Sequence, residues 1–478
     1  MQRLQQLARA NLSGVLPEVR PFVRESWGLG WPMILIMFFY FAIGLTDVYV
    51  AGFLGTDVMA AVGYVAQLYF TLMILANGIT VGAVSLVSQA YGARAYDGVG
   101  SISAHALMIG VAISGVITAF AVLFPSSIVH LAGMPADIAG IATDFLQIFA
   151  LVLIPTYISI ICAGILRASD RVRITLIISF VAAVLNILGD FVLAFGWGPF
   201  PELGYRGIAW SSAFATTVGM ALNLIPVLYG IRKTALQTLR HPLSACVKNL
   251  MKLGVPSALQ QTAWNAGTLV VYFLVGKLQY GEVTALAAMT AGLRIEAFIF
   301  LPIFAFNMAA AVLAGNRLGA GDIQGARSGT KAAALLCLVI IALPALVIFI
   351  LAPQISRLLS SDPAVLAEMT RYLRINMVAM PFMAVGVTMS GALQGAGDTI
   401  TTMKIIFTGM WLVRIPAILA AIYIFGTGAV GIWWTMTLSI IVMCSLLGYR
   451  FSGEAWTHAS TDKETKKMLW ESCMPRSP

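Results

Sequence analysis

Apolar residues gather in twelve runs of about 20 or more along this 478-residue chain, parted by short polar connections. At a helical rise of about 1.5 Å per residue, a run of that length crosses the hydrocarbon core of a bilayer. The runs predict helical spans over 27–53, 60–88, 99–124, 140–165, 172–196, 205–230, 250–278, 284–314, 329–352, 368–393, 400–425 and 429–450. Little chain is left outside the membrane.

The six-run pattern occurs twice. Gly30 and Pro32 recur as Gly254 and Pro256, an offset of 224, and Gln89, Gly92 and Ala93 recur as Asn316, Gly319 and Ala320, an offset of 227. Pro155 matches Pro381 at 226, and Gly207, Ile208 and Trp210 match Gly431, Ile432 and Trp434 at 224. A repeat of six spans re-enters the membrane from the side on which it began, so the copies are expected to be related by a pseudo-two-fold axis along the membrane normal. The predicted fold class is all-α integral membrane, with twelve transmembrane helices in two parallel six-helix lobes. The expected organisation is a cytoplasmic amphipathic segment over 1–26, a first lobe over 27–230, a cytoplasmic linker over 231–249, a second lobe over 250–450 and a cytoplasmic tail over 451–478.

Composition agrees: 59% of residues are hydrophobic and 10% charged, less than half the charged share of a soluble domain. Of the 29 Lys and Arg residues, 22 fall in the amino terminus, alternate loops and the tail; five, Arg206, Lys277, Arg357, Arg371 and Arg374, fall in the opposite loops. The positive-inside rule therefore places both termini in the cytoplasm, in a plasma or inner membrane. The net charge of +9 follows from this topology and from anionic headgroups, so no nucleic-acid partner is expected. Cys162, Cys337 and Cys444 lie in apolar helix sequence and Cys246 and Cys473 in polar segments, with no metal spacing and no expected disulfide; they read as packing residues. No catalytic triad, phosphate loop or metal cluster stands out, so neither an enzyme nor a bound cofactor is expected.

The candidate chemistry lies in the few ionisable residues at membrane depth, where a charge is costly and normally faces a cavity or a partner. Asp47 and Asp190 each sit about six residues from the outer end of a span, roughly 9 Å below the surface, so they can share a cavity. Asn186 lies one turn before Asp190 on the same helix face. Two adjacent carboxylates in low dielectric cannot both ionise cheaply, and such a pair can exchange protons between compartments. The structural alternative, that each Asp pins an outer helix end, fits less well, because position 271, the counterpart of Asp47, is Val. The second copy instead holds Arg294, Glu296 and Arg414. Arg294 and Glu296 stand about 200° apart around one helix, which leaves Glu296 with Arg414 as the expected ion pair and substrate orientation as the other reading. The paired prolines Pro32/Pro256 and Pro155/Pro381 remove backbone bonds and permit bending.

The doubled plan, with GLTDVYVAGFLG in the first span, SQAYGA after the second, LNILGD in the fifth, RIEAF in the eighth and GNRLGAGD after it, resembles the multidrug and toxic compound extrusion (MATE) transporters over about residues 25–450. The paired acids and RIEAF are most similar to the DinF-like branch. The resemblance implies that Asp47, Asn186 and Asp190, with Thr216, form a cation-coupling site, and that Pro32 is a helix-bending proline. It departs from the NorM-like branch in the seventh span, where Gln260, Gln261 and Asn265 stand and no carboxylate does. The function expected is efflux of amphiphilic organic compounds by a monomeric antiporter driven by protons, or by sodium at Asp47 and Asp190. Flipping of a lipid-linked precursor is the alternative, and an integral-membrane enzyme or receptor the alternative of another class.

Overall fold

The amino-terminal polar stretch and the first apolar run form a single helix, α1 (Gln2–Leu54), in a computed structural model that describes residues 2–131, 133–238, 244–460 and 467–474. Helices α2 (Thr56–Gly92), α3 (Tyr96–Leu123), the short α4 (Pro125–Leu131), α5 (Ala136–Ala168), α6 (Val172–Phe195) and α7 (Tyr205–Thr238) complete the first copy. The second comprises α8 (Ser244–Val275), α9 (Glu282–Gly319), α10 (Ile323–Leu359), α11 (Pro363–Met377), α12 (Met380–Gly395), α13 (Thr399–Phe407), α14 (Ile415–Tyr423) and α15 (Gly428–Ser452). The all-helical membrane class is borne out. The expected linker is helical on both flanks, its residues 239–243 lying outside the described residues, as do 461–466 and 475–478 of the tail.

The chain forms two compact units. The amino unit comprises Leu35–Ala258 with the tail beyond Thr461, and the carboxyl unit comprises the residues up to Ile34 with Leu259–Thr461. The first two changes of unit occur inside a helix, two residues after Pro32 and two after Pro256, at the same offset as the repeat. Within the amino unit α2 packs along α5 and α3, and α6 along α7; within the carboxyl unit α9 packs along α12 and α10, and α15 along α12, α13 and α14. The sequence repeat is thus also a repeat of packing.

With lipid as solvent, close backbone contact is a main source of helix association. Gly78 and Gly82 of α2 meet the carbonyl oxygens of Gly254 and Leu250 on α8, at 2.8 and 2.7 Å from where a Cβ would stand. In the carboxyl unit Gly391 and Gly395 of α12 press on the backbone of Asn307 and Ala311 on α9. In the first half of α1, Glu18 pairs with Lys331 (3.2 Å) and accepts from Ser328, and Arg317 pairs with Glu25 of α1 and with Asp322, all inside the carboxyl unit. Arg450 Nε bonds Asp398 Oδ2 at 2.7 Å, with only 8% of the Asp398 side chain exposed. Arg450→Met leaves that carboxylate without its partner and is expected to cost about 3 kcal/mol, read as a lower midpoint of thermal unfolding, part of which Asp398→Asn restores in the double variant.

Four features differ from the sequence expectation. Ten helices among the described residues are long and apolar enough to cross a membrane, and α11 with α12 makes an eleventh. The remaining expected span, α8, has the length but is diluted by Gln260, Gln261 and Asn265. The span expected over 368–393 is bent by 48° between α11 and α12, because Pro381 offers no N–H to the Met377 carbonyl. Before Pro416, Thr408–Arg414 widens into a π turn, the other way a helix absorbs a missing donor. Finally, Cys246 and Cys473, taken as unpaired packing residues, are joined in a disulfide; a pairing 227 residues apart leaves no local trace in a sequence.

Candidate functional site

Helices α6 and α7 are held together by small residues. A Cβ on Gly189 would stand 2.5 Å from Ser211 Oγ, and one on Gly207 2.5 Å from the Leu193 carbonyl. This approach lets Ser211 donate to the Asn186 carbonyl (2.8 Å), while Asn186 Nδ2 donates to Ser212 Oγ (2.9 Å). The Asn186 side chain is thereby oriented with its own oxygen free. Asp190, one turn on, is completely buried. The Asp47 carboxyl of α1 lies against Asp190 and Asn186, and Ser211 lies against Asp190 from the other side.

The three polar residues singled out in the sequence therefore meet at one place. An ionised carboxylate can only accept hydrogen bonds. Neither oxygen of Asp190 meets a donor, nor do Asp47 Oδ1 and Asn186 Oδ1, although all four are buried. Leaving buried acceptors unmet costs about 1–3 kcal/mol each, more when charged. A proton held between the carboxylates, or a desolvated monovalent cation, satisfies this set; a divalent ion finds no cluster of three acidic, His or Cys groups among the described residues.

Beside the pair lies a cavity of about 200 Å³. Asp47 and Thr216 line it, together with Ser212, Tyr69, Phe145 and Phe149. Phe145 stacks on Phe149 at 4.8 Å between centroids, and Tyr69 meets Phe149 edge-on at 5.0 Å, so part of the lining is a packed aromatic group. Ser212 and the aromatic residues were not picked out in advance. Ser212 had a signal, since it stands one turn before Thr216 on the same face of α7; the aromatic residues had none among so many apolar neighbours.

The charged residues of the carboxyl unit are arranged differently from expectation. Glu296 and Arg414 are both buried but do not form a direct ion pair. Arg414 Nε donates to Ser439 Oγ at 2.8 Å and its guanidinium lies over the Trp264 ring at 5.5 Å. Glu296 faces Tyr372, with its Oε1 unmet. The π turn accounts for the difference, because it rotates Arg414 relative to the regular helix assumed from sequence. Arg294 is exposed.

The chain is 24% identical over 456 residues to "Probable multidrug resistance protein NorM" of Thermotoga maritima, covering 95% of this chain and 97% of that one. It is 27% identical to the protein of the same name from Deinococcus radiodurans, over 90% of this chain and 94% of that one. The MATE transporter VcmN of Vibrio cholerae superposes with a TM-score of 0.83 at 19% identity, over 91% of this chain and 97% of that one. A transporter of Pyrococcus furiosus, described as a member of the MOP superfamily, gives 0.81 at 19%, over 92% and 98%. The MatE family profile matches residues 32–192 and again 256–419, one match in each copy of the repeat. With both copies matched, the chain belongs to the MatE family of multidrug and toxic compound extrusion transporters, and is a transporter and not an enzyme.

Proposed function

We propose that this chain exports amphiphilic organic compounds across the plasma membrane, driven by protons entering through Asp47 and Asp190, with sodium as the alternative ion. The observation that carries this reading is the set of four buried, unmet oxygens of Asp47, Asn186 and Asp190 beside a cavity lined in part by aromatic residues. Protonation removes the charge that favours a bound organic cation at Asp47 and allows α1 to shift about Pro32, where the chain passes from one unit to the other. An ion drives such a change only if it binds one conformation better, and reversing a 1:99 population takes about 5.5 kcal/mol. One charge crossing 100 mV supplies about 2.3 kcal/mol and each pH unit adds about 1.4, so two protons suffice. The paired acids and the RIEAF segment favour the DinF-like branch. Arg414 and Glu296 serve the packing of the carboxyl unit, through Ser439, Trp264 and Tyr372. Both termini lie in the cytoplasm, and the monomer is the working unit.

The test is flux of ethidium or norfloxacin in vesicles containing the purified protein, first under an imposed pH gradient and then under a sodium gradient. Uptake that follows the pH gradient and collapses with a protonophore is expected. Uptake driven by sodium alone reassigns the ion at the same residues. No uptake under either gradient would overturn drug export in favour of a lipid-linked substrate.

A further inference from the structure

The carboxyl-terminal tail is fastened at two places, one in each unit. In the carboxyl unit Trp456 is fully buried, stacks on Phe451 at 5.0 Å and donates from Nε1 to the Phe451 carbonyl at 2.7 Å. Ser460 then seats against Gly397, its Cβ 3.0 Å from where a glycine Cβ would stand. In the amino unit the turn Leu469–Cys473 buries Leu469, Trp470 and Cys473 in the core shared with α2 and α3. Asn249 near the start of α8 donates from Nδ2 both to the Leu469 carbonyl (3.0 Å) and to Ser472 Oγ (2.7 Å). Cys473 is bonded to Cys246, one turn before Asn249, with their Cα atoms 4.7 Å apart. The fastening in the amino unit includes a bond that thiol chemistry can make and break.

We propose that Cys246 and Cys473 are a reversible thiol–disulfide exchange site whose reactant is a low-molecular-weight disulfide of the glutathione class, and that oxidation locks the tail onto the amino unit. The inference does not depend on which ion or substrate is transported. The other three cysteines, Cys162, Cys337 and Cys444, are free and buried within helices, so the exchange is confined to this pair. On the charge-based topology the pair faces the cytoplasm, where the glutathione pool keeps most thiols reduced and a protein disulfide is typically a transient, sensing one. Asn249 and Trp470 hold the turn without the covalent bond and so keep the two thiols at high effective concentration. The exchange balances in two steps. One cysteine thiolate attacks the small disulfide, forming a mixed disulfide and releasing one small thiol. The second thiolate attacks the protein sulfur of that mixed disulfide, closing the Cys246–Cys473 bond and releasing the second small thiol. The protein loses two protons and two electrons, and the small disulfide is reduced to two thiols.

The test uses the full-length protein in lipid nanodiscs, reduced with dithiothreitol, then exposed to oxidised glutathione and finally reduced again. Peptide mapping is expected to show a linked Cys246–Cys473 peptide that appears with the oxidant and disappears with the reductant. Hydrogen exchange of amides 468–473 is expected to slow by about tenfold or more in the oxidised state. In Cys473→Ser the exchange stays at the reduced rate throughout; should that variant fail to accumulate, the oxidised and reduced wild-type samples carry the test alone. Glutathione adducts without the linked peptide would overturn the proposal. So would a link that survives native reduction, or one that forms while exchange of the turn is unchanged.

Discussion

Asp47→Asn is expected to bring gradient-driven export down to the level of empty vesicles, more than about 100-fold, while the protein still folds and keeps its cavity. Asn has the size of Asp but cannot take up or release a proton, so the two conformations lose the differential affinity that turns an ion gradient into work. The replacement also removes a buried acceptor that meets no donor, so stability is expected to hold or rise. Asp190→Asn should give the same loss, since Asp47 and Asp190 lie against one another and are proposed to share the coupling proton. The measurement is flux under an imposed pH gradient, beside gel filtration and circular dichroism of each variant. Proton-linked export retained in the double Asn variant removes these residues from the coupling mechanism.

The largest structural effect is expected at Gly391. Its missing side chain is replaced by the backbone of α9, since a Cβ there would overlap the Asn307 carbonyl oxygen, and the neighbouring Gly395 meets the Ala311 carbonyl in the same way. Neither obstacle is the end of a flexible side chain. Gly391→Val must therefore push α12 away from α9, the closest pairing in the carboxyl unit, which also strips Asn307 Nδ2 of its bonds to the Val387 carbonyl (2.7 Å) and Ser390 Oγ (3.0 Å). Overpacking in a close-packed core costs about 1–3 kcal/mol, and the lost polar contacts add to it. Failure to accumulate as a monodisperse protein is expected, whereas Gly115→Val on α3, with nothing within 4 Å of its Cβ, should express normally.

What could be read from sequence follows from how local the cause is. Most spans were legible because a bilayer demands one unbroken apolar run, and α8 was drawn from the same signal although its polar residues dilute the run. The meeting of Asp47, Asn186 and Asp190 was legible because carboxylates at membrane depth are few and shared one depth. The bend after Met377 and the π turn before Pro416 depend on how a helix re-satisfies a carbonyl opposite proline, and composition offers several solutions to that problem. Arg414 was consequently assigned to Glu296 when the turn carries it to Ser439 and Trp264. The Cys246–Cys473 bond and the aromatic part of the cavity lining arise from tertiary proximity alone.

The crossing of α1 and α8 between units has a consequence for biosynthesis. The first 34 residues leave the ribosome long before Phe306, Lys331 and the rest of the unit they pack into have been made. Conversely, the amino unit cannot close until the start of α8 has been translated, and its Cys246–Cys473 bond waits for a residue made 227 positions later. A gene split between the two halves would therefore yield two fragments, each holding a piece that completes the other, and neither unit is whole until both early and late parts of the chain have been made.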